Sequence, residues 1–123
     1  VAAINQDDTF YAGNKRILEF TIINKDVVPE APLNLTGITL KWGMSRLNSD
    51  GTYSKTPVVQ KSTSSGITVT NAAQGKCSVQ LDASDTVNCG GKYHQELEAI
   101  DGSGAPVVVA VGTLELLRNV TNS

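Results

Sequence analysis

His94 and Glu96 stand two residues apart in an alternating run, and Glu98 follows at the same spacing. Alternate residues of a strand share one face, so an imidazole and two carboxylates project together. An imidazole beside a carboxylate is the start of a general base, which still needs a nucleophile within reach. The same side chains offer a metal ion one nitrogen and two carboxylates, a weak donor set. A solvent-facing strand face is the plainer reading and outweighs both.

Cys77 and Cys89 are the second candidate pair. A bond between them would close a loop of about a dozen residues and stabilise the chain by about 3 kcal/mol. Two free thiols are the favoured alternative, because Cys77 falls on the apolar side of its run and behaves there as a small core residue. The spacing matches no zinc site. Asp7, Asp8 and Asp50 could supply oxygens to calcium, but no EF-hand spacing supports this. Gly90-Gly91 and Gly102-Ser103-Gly104 lack the lysine and hydroxyl tail of a phosphate loop. No serine lies in a nucleophile-elbow sequence. Asn34-Leu35-Thr36 and Asn119-Val120-Thr121 match the glycosylation acceptor pattern, a match common by chance. Trp42 and Tyr53 could form a sugar-stacking platform, although Trp42 alternates with core residues and is better read as one of them. Nothing here assembles a catalytic constellation, so the expectation is a protein that is not an enzyme and has no cofactor.

The elements that carry these residues read almost wholly as strands. Ile17 to Ile23 alternates with Leu18, Phe20 and Ile22 inward. Val27 to Pro32 holds two prolines and reads as a loop or edge. Ile38, Leu40, Trp42 and Met44 form the inner face of the clearest strand. Asn48-Ser49-Asp50-Gly51 is a turn signal, tipping a hairpin that returns through Pro57 to Lys61. Ile67 to Thr70 and Cys77 to Leu81 are further strands, the latter with Cys77, Val79 and Leu81 inward. Asp82 is a plausible N-cap for one helical turn. Tyr93 to Ile100 places Tyr93, Leu97 and Ala99 inside. Val107 to Leu117 closes the chain, with a bulge expected near Gly112. Short strands punctuated by turns predict an all-β fold, a single antiparallel immunoglobulin-like β-sandwich. Its core should span about residues 14–117, with an N-terminal arm at 1–13 and a C-terminal tail at 118–123.

Composition agrees with one globular domain. The chain has 123 residues, 40% apolar and 18% charged, with a net charge of −2. It lacks a basic run with interleaved aromatics, so nucleic acid is not an expected partner. The longest apolar stretch, Val107 to Val111, is too short to span a bilayer. The first residues, Val1 to Gln6, do not read as a secretory signal.

The order of segments carries a resemblance. Ile17-Leu-Glu-Phe-Thr-Ile22 is followed by Leu35-Thr36-Gly37-Ile38-Thr39-Leu40, then by Gly66-Ile67-Thr68-Val69-Thr70 and Asn71-Ala72-Ala73-Gln74-Gly75. Val79-Gln80-Leu81-Asp82-Ala83-Ser84-Asp85-Thr86 and Gly91-Lys92-Tyr93 through Leu97-Glu98-Ala99-Ile100 complete it. Residues 7–117 thus resemble the immunoglobulin-like domain of phage baseplate upper proteins and related phage tail proteins. These motifs are turns and strand faces rather than chemistry. Asp8-Thr9-Phe10 precedes a longer approach to the first strand than the family shows, and the hairpin from Ser45 to Thr56 is polar and long. The chain stops soon after Leu117, which favours a stand-alone adaptor or decoration protein over a linker to a fused fibre.

The resemblance implies a bacteriophage virion protein, assembled in the host cytoplasm. It would be a tail, baseplate or fibre-adaptor component docking in many copies, with capsid decoration as the alternative. A carbohydrate- or receptor-binding surface module is the reading of another class. Partners would be other virion proteins (tail, portal-proximal or capsid) and copies of itself, with no membrane. The expected contact residues are Asn48, Asp50 and Tyr53 on the hairpin, with Phe10 and Tyr11 near the N-terminus.

Overall fold

The computed structural model describes residues 4–5, 7–24, 28–63 and 65–118. Its strands are β1 (Ile4–Asn5), β2 (Asp8–Tyr11), β3 (Arg16–Thr21), β4 (Ile23–Asn24), β5 (Ala31–Pro32), β6 (Thr39–Arg46), β7 (Val59–Ser62), β8 (Ile67–Asn71), β9 (Lys76–Leu81), β10 (Gly91–Ile100) and β11 (Pro106–Leu117). A 3-10 turn over Ala72–Gln74 and one helical turn, α1 (Ala83–Thr86), interrupt them. The helical turn begins at the expected N-cap, Asp82, whose N–H donates to the Asp85 carboxylate at 2.7 Å.

Two sheets face each other. The larger runs β1-β11-β10-β6-β7, with β2 also on β11, and the smaller runs β3-β9-β8. A ribbon of β4 and β5 stands where the prolines bar a longer ladder. The split is that of an immunoglobulin-like sandwich, with β3, β9 and β8 as the B, E and D strands and β11, β10, β6 and β7 as G, F, C and C′. Alternation fills the space between. Leu18, Phe20, Val79 and Leu81 come from the small sheet, and Leu40, Trp42, Met44, Tyr93, Leu97, Leu114 and Leu116 from the large one. Trp42 is 2% exposed, on the strand that carries the core tryptophan of antibody domains. Ile38 is only half-buried and precedes its strand, which starts at Thr39.

The expected antiparallel sandwich is present, with β1 and β2 added parallel to β11. Two other expectations are corrected. The segment expected as an arm is therefore a sheet element over Asp8–Tyr11, and Phe10 and Ala12 are buried. Its hold is covalently remote but polar and specific: Thr113 N–H donates to Asp7 at 2.8 Å, Arg16 forks onto Asp8 at 2.7–3.1 Å, and Gly13 N–H donates to the buried Thr86 hydroxyl at 2.9 Å. Asp7 and Asp8 are thus engaged in structure rather than gathered for calcium.

The bulge falls at Val109, three residues before the glycine expected to host it. Leu97 pairs with Ala110 while Glu98 pairs with Val108. Val109 is the extra residue, so Val109 and Ala110 both point inward, and the inner set switches phase there. The residues of the expected C-terminal tail beyond Arg118 lie outside the described ones.

Cys77 and Cys89 are free thiols. Neither occupies the B or F strand that the inter-sheet disulfide of antibody domains joins. The F-strand position, two residues after Tyr93, is Gln95. Tyr93 itself is buried near the start of its strand and its hydroxyl points back at Gly90 O, 3.5 Å away, in the manner of a tyrosine corner. No helix among the described residues is long and apolar enough to cross a membrane.

Candidate functional site

β10 lies inside the large sheet between β11 and β6, so its outward residues face a broad polar surface. His94 stands opposite Ser45 and Thr113, Glu96 opposite Gly43 and Val111, and Glu98 opposite Lys41 and Val108. The expected shared face of His94, Glu96 and Glu98 is present. His94 Nε2 meets Glu96 Oε1 at 2.9 Å.

A chain segment folds back over this surface. After β6 the backbone turns at Asn48, whose N–H donates to Thr52 O at 2.7 Å. Asp50 Oδ1 accepts from the Thr52 hydroxyl at 2.6 Å and its N–H at 3.0 Å. Those bonds hold the Asp50 carboxyl below the usual carboxylate range. Asn48 Nδ2 donates to the same hydroxyl at 2.9 Å. Asn48 and Asp50 thus shape the turn while remaining exposed. Tyr53 pairs with Leu47 across the neck.

That pairing delivers the Tyr53 ring onto His94. The rings stack with centroids 3.8 Å apart and planes 13° from parallel. The phenol donates to Glu96 Oε1 at 3.3 Å. Further along, Pro57 settles on Gly43, where an added Cβ would meet the proline Cβ at 3.3 Å. Between these two rests the segment leaves a cleft of about 380 Å³, lined by Lys41, Gln60, Glu96 and Glu98 below and Tyr53, Ser54 and Lys55 above.

Of the residues expected at a contact surface, Tyr53 is at this cleft and 44% exposed. Asn48 and Asp50 sit at the hairpin tip beside it. Phe10 is corrected: at 7% exposure it belongs to the core, with the Arg16 guanidinium 5.7 Å above its ring. Tyr11, the next residue, points the other way and is 51% exposed, paired with the exposed Leu117. The Trp42–Tyr53 platform does not form, since Trp42 is in the core. Among the described residues no three histidine, cysteine or acidic side chains are grouped to hold a metal ion.

Gln95 is polar and carries no apolar signal of its own, yet the alternation of Tyr93, Leu97 and Ala99 puts it inside, where it is buried. The contact between Tyr53 and His94 had no local signal, since the two are 41 positions apart.

No protein-family model matches the chain, and no curated protein matches it. Among solved structures, murine CRIg aligns over 94% of this chain and 92% of that chain at 16% identity, with a TM-score of 0.36. Extracellular domains 3–5 of Drosophila OTK align over 94% of this chain and 33% of that chain at 17% identity, with a TM-score of 0.31. Likenesses so distant say nothing of ligand or partner. The immunoglobulin-like assignment rests on the strand order and the core.

Proposed function

We propose that this chain is a non-catalytic structural module that docks by protein–protein contact, and that it does so in a bacteriophage particle as a tail, baseplate or fibre-adaptor component. The observation that carries docking is the pair Tyr11 and Leu117. They are neighbours across the parallel β2–β11 ladder, at 51% and 38% exposure, where an apolar pair has little reason to face water. An exposed tyrosine on a rigid strand is a good anchor for a partner. Repetition by symmetry turns one modest contact into firm attachment.

The phage setting is supported by the turn and strand motifs over residues 7–117. Immunogold electron microscopy of phage particles, with antibody against this chain, tests it. Label at the tail or baseplate is the expected result, and label over the capsid would move the role to decoration. Particles without label would overturn the phage setting.

A further inference from the structure

We propose that the cleft beneath the Tyr53 hairpin binds a neutral saccharide, because it sets a part-exposed, braced tyrosine beside hydrogen-bonding groups of both signs. This goes beyond the docking role and holds wherever the protein works. The cleft, about 380 Å³, lies within the range of small-ligand sites.

The lining decides the ligand class. Lys41 and Lys55 bring donors only, Glu96 and Glu98 bring acceptors only, and Gln60 brings both. Lys41 and Glu98 are cross-strand neighbours, yet neither forms an ion pair among the described residues. Glu96 spends Oε1 on Tyr53 and His94, which leaves Oε2 for a ligand. A strongly anionic ligand meets the two carboxylates, and a cationic one meets the two lysines. A hydroxyl donates to the first and accepts from the second, so an uncharged polyol uses every group.

Tyr53 supplies the rest. One face of its ring is covered by His94 and its hydroxyl is tied to Glu96, so the ring is braced before anything binds. Its 44% exposure leaves aromatic surface for the C–H face of a sugar ring to cover.

The test is an NMR titration of the isotope-labelled chain with neutral trisaccharides of glucose, galactose, mannose and N-acetylglucosamine, each at millimolar concentration. A trisaccharide of galacturonic acid is run beside them. The expected result is that at least one neutral sugar shifts the amide signals of Gly43, Tyr53, Gln60 and Glu96 in a saturable way. Tyr53→Ala should weaken that binding about tenfold or more, which is about 1.4 kcal/mol, with the core amides unmoved. Tyr53→Phe, which keeps the ring, should retain most of it. The proposal is overturned by cleft amides that no neutral sugar moves. It is equally overturned by binding that Tyr53→Ala leaves intact, or by tighter binding of the galacturonate. A chain absent from phage particles would leave these outcomes as they are.

Discussion

The indole nitrogen of Trp42 donates to Gln95 Oε1 at 2.9 Å, inside the sandwich, where both residues are 2% exposed. The two sit on adjacent strands of the large sheet, β6 and β10. Gln95 stands in the position that gives antibody domains a cysteine, and here that position supplies an acceptor for the tryptophan. Gln95→Leu keeps bulk but strands a buried N–H. It should cost about 1–3 kcal/mol, read as a lower urea midpoint with an unchanged slope. An unchanged midpoint would mean the indole finds another acceptor.

Much of this core is legible from period alone. Leu18, Phe20 and Ile22, then Leu40, Trp42 and Met44, then Cys77, Val79 and Leu81 are all buried as their alternation requires. What escapes is whatever pairing across the chain decides. The segment Asp8-Thr9-Phe10-Tyr11 is too short to announce a strand, and its parallel partner lies at the far end of the sequence. The bulge cannot be told from a glycine, since Val109 and Ala110 are both apolar and either phase looks acceptable locally. The candidate cleft is the extreme case. His94 and Glu96 were readable as neighbours, but the ring that covers them arrives through a hairpin whose return path only the folded chain defines.

The hairpin is held down by Tyr53 rather than by core packing. Tyr53→Ala removes a stacked pair and a bond to Glu96, a loss of about 0.5–1.5 kcal/mol. Hydrogen exchange should quicken at the hairpin amides of Asn48, Gly51 and Ser54, while those of β9 and β10 keep their protection. Uniform loss of protection would show that the hairpin is part of the global folding unit.

Two glycines separate backbone strain from collision. Gly37 has φ +75 and nothing within 4 Å of an added Cβ. Gly75 has φ +68, but its Cβ would collide with Ile22 O and lie 2.9 Å from Leu33 O. Gly37→Ala should therefore cost about 1–2 kcal/mol, the left-handed penalty alone. Gly75→Ala should cost about 3 kcal/mol or more, because backbone must also move. Thermal midpoints of the two variants give the comparison, and equal shifts would contradict it.

Acid should unfold the chain partly through Asp85. Burial works to raise this carboxyl, but Lys61 Nζ at 2.8 Å and the Asp82 N–H outweigh it and hold the group below its ordinary 3.8. A carboxylate depressed in the folded state stabilises above its unfolded pKa, and that contribution is lost as pH falls through the folded value. Stability should decline below about pH 4. Lys61→Met should be less stable at neutral pH and show a shallower decline. Some slope should remain, because Thr52 and Ser103 hold Asp50 and Asp101 low in the same way. Urea midpoints taken across the acid range would show it, and an unchanged slope in the variant would remove Asp85 from the account.

The two thiols should differ in reactivity. Cys77 faces the core at 2% exposure, and burial pushes its thiol up to about 11. The thiolate is the reactive form, so at mildly alkaline pH Cys77 is both covered and protonated. Cys89 is half-buried, in the connection after α1, with Sγ 3.8 Å from Asp85 O. An alkylating reagent should modify Cys89 in the folded protein and reach Cys77 only after denaturation. Denatured chain prepared without reductant should then yield both thiols, and mass spectrometry of the tryptic peptides distinguishes them. A denatured chain with no titratable thiol would mean that Cys77 and Cys89 are bonded. That would require β9 and the segment after α1 to draw together, moving a residue that now fills the core between Phe20 and Val69.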